Sequence, residues 1–343
     1  MVMRIALGHI DAYDDRIGTF ARQLGLGSLQ FHAPKDLPGT DGHWSTAELA
    51  ALRGRCEEAG LRIEGLENVP AAHFFKIQRG LPGRDEQIEG FCRTLRNMAA
   101  TGYDLLGYNW LPTYVWRTTM DAPGRGGAAV TGFDLDLAPA GNALAGYKLT
   151  PEEPITEPIT AEQSWAHHQY FLDAVLPVAE AEGVRLALHP DDPPVDEPLG
   201  GATRIFTSPA ALAEAWRRSG GSPAWGLDLC LGTVSEMAGQ AAAEEIIRAM
   251  GPAGKIFYVH FRDVQGTVPR FAECFLGEGN LDVPGVFGLL DEVGFDGFVI
   301  DDHVPALVGD PGTWADTSAD AYISRGRSYA IGYLQGVLDA VRR

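Results

Sequence analysis

Short apolar runs rich in β-branched and aromatic residues alternate along this chain with longer segments whose apolar positions recur every three or four residues. The runs at 4–9, 28–32, 61–68, 104–110, 185–190, 224–230, 255–264 and 297–303 predict strands. The periodic segments between them, such as 46–59, 85–100, 161–182, 209–218, 241–250 and 319–341, predict helices. Glycines mark the helix-to-strand turns at Gly25, Gly60, Gly102, Gly183, Gly254 and Gly294, where a helix C-terminus calls for a left-handed residue. Eight βα units predict an α/β fold, a closed (β/α)8 TIM barrel filling residues 1–343 as one domain. The competitor is a doubly wound sheet, and the lack of a GxGxxG after an early strand counts against it. The rhythm breaks once, at 113–160, between strand four and the next helix. This insertion carries GRGG at 124–127 and PEEPITEP at 151–158 and reads as a lid over the barrel mouth. The plainer readings are a surface insertion or an oligomer contact.

Composition narrows the partners. Of 343 residues, 45% are hydrophobic, enough for a large core, and no apolar run is long enough to span a bilayer. The net charge of −19 repels phosphate backbones and anionic lipid, so neither nucleic acid nor membrane is an expected partner. It also means that an anionic substrate needs local positive charge. The start of the chain reads as a first strand and not as a signal peptide. Cys56, Cys92, Cys230 and Cys274 form no CxxC and no disulfide framework, which fits a reducing cytoplasm.

The informative feature is what stands at the C-terminal ends of the predicted strands, where barrels of this kind place their active sites. Those ends carry His9, His32, Glu67 with Asn68, Asn109, His189, Cys230, His260, and Asp302 with His303. Five of the nine histidines fall at these positions. A lone buried cysteine or histidine is more often a packed core residue, but eight strands ending this way call for convergent chemistry. His189, Cys230, His260 and Asp302, from the last four strands, form a candidate metal set. Imidazole, thiolate and carboxylate together suit a divalent ion, Mn2+ first, with Fe2+, Co2+, Zn2+ and Mg2+ as the other candidates.

Several segments carry a family resemblance. His189-Pro190-Asp191-Asp192-Pro193-Pro194 is similar to the HPDDPP signature of D-mannonate dehydratases. Tyr108-Asn109-Trp110-Leu111-Pro112 with Trp116-Arg117-Thr118, Glu67-Asn68-Val69-Pro70, Thr94-Leu95-Arg96-Asn97, Val259-His260-Phe261-Arg262-Asp263-Val264 and Asp302-His303 resemble further motifs of that family, in order, over roughly residues 60 to 340. The resemblance implies a xylose-isomerase-like barrel and a metal-dependent hydro-lyase converting D-mannonate, a small-molecule sugar acid, to 2-keto-3-deoxy-D-gluconate. It carries the metal ligands onto His189, Cys230, His260 and Asp302, and acid/base roles onto His303 and Tyr322. It also implies a homo-oligomer.

Substrate contacts are expected from Asn109, Arg117, Glu67 and His32, with Arg117 as a carboxylate clamp or, more plainly, a surface ion pair. The chain departs from the family pattern at Ile300-Asp301, where Arg-Pro is expected, at Val304 in place of glycine, and after Glu273, where Cys274 follows and no histidine does. Two other readings stand beside dehydration. One is a sugar isomerase or epimerase on the same barrel, against which the Cys230 ligand counts, because such sites are richer in carboxylates. The other is a non-catalytic sugar-binding barrel.

Overall fold

The structure, a computed structural model, describes residues 3–138, 155–313 and 319–342. Among these, twelve strands occur in chain order: β1 (Arg4–Ile10), β2 (Ser28–His32), β3 (Arg62–Glu67), β4 (Leu105–Asn109), β5 (Thr119–Pro123), β6 (Ala129–Asp134), β7 (Arg185–His189), β8 (Trp225–Cys230), β9 (Ile256–Phe261), β10 (Asp263–Thr267), β11 (Arg270–Cys274) and β12 (Phe298–Asp301). The helices are α1 (Asp15–Gln23), α2 (Thr46–Glu58), α3 (Phe75–Arg79), α4 (Arg84–Ala100), α5 (Ala161–Glu182), α6 (Pro209–Arg218), α7 (Leu231–Ala238), α8 (Gln240–Met250), α9 (Val283–Glu292) and α10 (Arg325–Val341). Eight strands close a parallel barrel in the ring order β1-β12-β9-β8-β7-β4-β3-β2. The expected (β/α)8 barrel is therefore the observed fold. Its strands are mostly buried, β2, β8 and β9 at every position, because helices cover the outer face and side chains fill the inner one. All six glycines expected at helix ends have positive φ, between 65° at Gly254 and 80° at Gly102.

Two boundaries differ from the sequence reading by three residues or more, each for a visible reason. The run 255–264 breaks at Arg262, where the chain leaves the barrel. Asp263 holds the exit, its Oδ1 accepting from the N–H groups of Val264 and Asn280 and from Ser235 Oγ. The last helix starts at Arg325 and not at 319. The Ser324 hydroxyl caps it by accepting from Arg327 N, and Asp310 accepts from the N–H groups of Arg325 and Gly326.

The insertion after β4 does not stand alone. Strands β5 and β6 join β10 and β11, which leave the barrel after β9, in one antiparallel sheet of order β10-β11-β6-β5. Phe133 pairs with Phe271 and their rings stack at 5.7 Å, while Arg270 Nε donates to Asp134 Oδ2 at 2.6 Å. Residues 139–154 of the expected lid lie outside the described residues.

One core histidine gives a pH prediction. His168 on α5 is fully buried among Trp110, Phe171 and Phe206, with Nε2 3.1 Å from Tyr108 Oη. Burial, joined by the charge of Arg218, pushes its pKa down to about 3. The unfolded chain therefore takes up a proton near pH 6.5 that the folded chain refuses until about 3. Stability from this group is full above pH 6.5 and is lost on acidification at about 1.4 kcal/mol per pH unit. A His168→Gln variant should show a shallower acid-side decline in a series of thermal melts; an unchanged slope would rule the assignment out.

Candidate active site and metal centre

Because Cβ direction alternates along a strand, only every second residue points into the barrel. His189, Cys230 and His260 are inward residues at the ends of β7, β8 and β9, and Asp302 follows β12. One ligand atom each from His189, Cys230 and His260 lies within 4.8 Å of the others. Cys230 Sγ is 3.8 Å from Asp302 Oδ2, and His260 Nδ1 is 4.0 Å from Asp302 Oδ1. His189 Nδ1 donates to the Pro190 carbonyl at 2.6 Å, which makes Nε2 its candidate coordinating atom.

This donor set fits a divalent ion. His260 is buried, and its Nδ1 has no hydrogen-bond partner although it faces a carboxylate, a thiol and an imidazole. Burial alone would push the Cys230 thiol up, but Arg262 and His189 outweigh it and bring the pKa down to about 5. The thiol also caps α7, where Thr233 N and Oγ1 approach it at 3.5 and 3.2 Å. The thiolate, the form that binds metals, is thus the favoured one.

A second polar layer lies one inward position deeper. His260 Nε2 is 3.1 Å from Glu67 Oε2 and 3.3 Å from Asp228 Oδ2. Gln30 Nε2 and Tyr258 Oη reach Glu67 Oε2 at 2.9 and 3.3 Å. Glu67, expected to touch substrate, thus stands behind the candidate ligand His260 as well as lining the cavity. A carboxylate behind a ligating imidazole fixes its tautomer and ring angle. Glu67→Gln should weaken metal affinity by about 10–100-fold, read by competition with a chelator; unchanged affinity would remove this role.

His303, Asp302, Asn109, His32 and His9 line a cavity above these ligands. His303 Nδ1 is 2.6 Å from Glu273 Oε1, and its Nε2 lies 3.6 Å from Asp302 Oδ1. Asn68 joins the neighbouring strand ends: its Nδ2 contacts His32 Nε2 at 2.8 Å and its Oδ1 accepts from Asn109 N. Both His9 and Asn68 hold a left-handed backbone, φ 56° each, at a cost of about 1–3 kcal/mol apiece. Burial lowers the pKa of both His9 and His32.

Arg117 and Tyr322 stand elsewhere. Among the described residues, neither lines the cavity. Arg117 is fully buried, and its guanidinium meets Asp192 at 2.5 and 2.9 Å and Glu273 at 3.0 Å. It is no surface ion pair, and its charge is already matched by carboxylates rather than offered to a substrate. Tyr322 packs in the core with Arg327 5.6 Å from its ring and Asp11 at its hydroxyl. The departures at 300–301 are structural too. Asp301 is buried, pairs with Arg327 at 3.1 Å and so ties β12 to α10. Burial lifts its pKa to about 6.

The residues missed from sequence are Arg262, Glu236, Asp228, Gln30 and Tyr258. Arg262 binds Asp302 at 3.0 Å, Glu236 at 2.7 Å and Asp192 at 2.7 Å. Asp191, two residues after the candidate ligand His189, accepts from Ile205 N and Phe206 N and so staples the following loop. Asp228, Gln30 and Tyr258 each sit two residues before a strand-end candidate, so the period of two was the signal that could have found them.

A family model described as D-mannonate dehydratase matches residues 31–343. Mannonate dehydratase 2 of Halalkalibacterium halodurans is 30% identical over 318 residues, covering 88% of each chain. A mannonate dehydratase of Streptococcus agalactiae is 30% identical over 315 residues, 87% of each chain. The crystal structure of mannonate dehydratase from Streptococcus suis serotype 2 superposes with a TM-score of 0.81 at 25% identity, covering 100% of this chain and 96% of that one. An L-ribulose 3-epimerase structure, 16% identical with a TM-score of 0.59 over 100% of this chain and 96% of its own, shares the fold.

Proposed function

Since this chain belongs to the D-mannonate dehydratase family, we propose that it is a one-domain, divalent-metal-dependent hydro-lyase that converts D-mannonate to 2-keto-3-deoxy-D-gluconate and water. The observation that carries this reading is the convergence of His189, Cys230, His260 and Asp302, with a buried His260 nitrogen left for a ligand. Mn2+ is the first choice of ion, with Fe2+, Co2+, Zn2+ and Mg2+ behind it. When bound, such an ion polarises the carboxylate and 2-hydroxyl of the acid, so that the C2 proton becomes removable.

The chain's own residues supply the rest. His303 stands at the cavity with Nδ1 against Glu273, and its Nε2 is the atom that moves a proton, between C2 or the leaving 3-hydroxyl and the imidazole. Asn109 and His32 line the same cavity and can hold hydroxyl groups. Tyr322 enters as the second acid/base group through the family resemblance alone, and Arg117 acts on substrate only through the carboxylates it holds. Four buried, unpaired cysteines support a reducing, cytoplasmic setting, and among the described residues no helix is long and apolar enough to cross a membrane. Assembly as a homo-oligomer is part of the same proposal and rests on the resemblance.

Protein loaded with Mn2+ should form the 2-keto-3-deoxy acid from D-mannonate, lose that activity on chelation and regain it when Mn2+ is returned. No keto product from D-mannonate or any other aldonate would sink the dehydratase reading and leave a non-catalytic barrel.

A further inference from the structure

In the barrel ring β1 stands opposite β7, and β2 opposite β8. The wall facing His189 and Cys230 therefore belongs to His9 and His32. Their rings stack at 4.1 Å with 17° between planes. His9 reaches furthest in: its Nε2 is 3.9 Å from Asp302 Oδ1, and its ring lies edge-on to those of His260 and His303, each at 5.9 Å. Its left-handed backbone is a conformation that histidine rarely adopts and that the surroundings must hold. They do so through a relay, in which His9 N donates to Gln30 Oε1 at 2.7 Å and Gln30 Nε2 donates to Glu67 Oε2 at 2.9 Å. Position 9 lies outside the family match at 31–343.

The charge on this wall is also informative. Among the described residues lining the cavity there is no lysine or arginine. The nearest guanidinium groups, Arg117 and Arg262, are engaged by Asp192, Glu236, Glu273 and Asp302. Glu67 Oε1 stands 3.7 Å from His32 Nε2 and Asp302 stands beside His9. A carboxylate or phosphate arriving here meets two carboxylates and no matching cation. A hydroxyl meets His9 Nε2, which can donate or accept, while His32 Nε2 is already engaged by Asn68 Nδ2.

We propose that His9 and His32 form a subsite for the uncharged, hydroxyl-bearing end of the sugar acid, and that this subsite restricts the enzyme to substrates with a single anionic group. The proposal rests on the dehydratase reading for which end of the acid meets the ion. The carboxylate is held at the His189–Cys230–His260 side, and the polyol chain runs along the wall that His9 shares with Asp302.

The test uses Mn2+-loaded full-length protein with D-mannonate and with mannarate, which carries a carboxylate at both ends. Two variants suit the left-handed backbone, His9→Gly, which removes the ring, and His9→Asn, which restores a donor and an acceptor. The expected result is a KM for D-mannonate raised about tenfold or more in His9→Gly, with a smaller change in kcat, unchanged bound metal and partial recovery in His9→Asn. Wild-type protein should reject mannarate. An unchanged KM in His9→Gly, loss of metal in that variant, or equal use of mannarate would overturn the proposal. If wild-type protein instead yields no keto product, the dehydratase reading fails by itself. The subsite is then read by melting temperature, where aldonates should stabilise the wild type, mannarate should not, and His9→Gly should lose the effect; equal stabilisation by both acids would overturn it.

Discussion

Replacing Arg262 with alanine is expected to cost about 3–5 kcal/mol of stability, the usual result of stripping one partner from buried charges. For a chain of this size that corresponds to a fall in melting temperature of about 4–7 °C. The reason lies in the company Arg262 keeps. Its three nitrogens bind Asp302, Glu236 and Asp192, all buried, and the variant strips Asp302 and Glu236 of their nearest guanidinium and leaves Asp192 to Arg117 alone. The surroundings are shaped around this side chain, since a Cβ on Gly232 would overlap it. Arg262 is also the first charge pulling the Cys230 pKa down against burial, so the variant should bind metal more weakly at neutral pH than at alkaline pH. A thermal melt checks the first effect, and a drop equivalent to less than 1 kcal/mol would mean that the network contributes little.

His303→Ala is expected to act on turnover instead. A positioned proton-transfer group contributes about 10²–10⁴-fold, so kcat on D-mannonate should fall by that factor. Bound metal should stay the same, because His189, Cys230 and His260 form a metal-capable cluster without His303; loss of metal would instead place the ion at the group His303 forms with His9 and Asp302. His260→Ala is the contrast, removing a ligand and so reducing both metal content and turnover. Metal analysis beside steady-state kinetics separates the two variants, and normal kcat in His303→Ala would withdraw its proton-transfer role.

How much of this was legible in the sequence depends on whether the signal is local. Strand ends and helix-end glycines are local, and every glycine expected at a turn adopts positive φ. The ligand candidates were legible for a related reason, since polar residues ending apolar runs stand out by contrast. The buried ion network was not. Arg262 reads as the interior of a strand, and only the fold shows that the barrel strand stops at Phe261. Arg117 has the chemistry of a carboxylate clamp, and nothing nearby in sequence reveals that Asp192 and Glu273 already hold it. Tyr322 is implied by the resemblance alone, but its hydroxyl is at Asp11. In each case the deciding partner is remote along the chain, where periodicity carries no information.

The sheet built from β5, β6, β10 and β11 also bears on how specificity could be re-engineered in this barrel. Excursions from two different βα units share one set of backbone pairings, and they share Arg117 with Glu273. Loops that can be grafted one at a time in other barrels form here a single transplantable unit. A chimera that takes the first excursion from a relative and keeps the second inherits mismatched hydrogen-bond registers and a stranded buried charge. Recombination points that preserve activity should therefore spare both segments or exchange both.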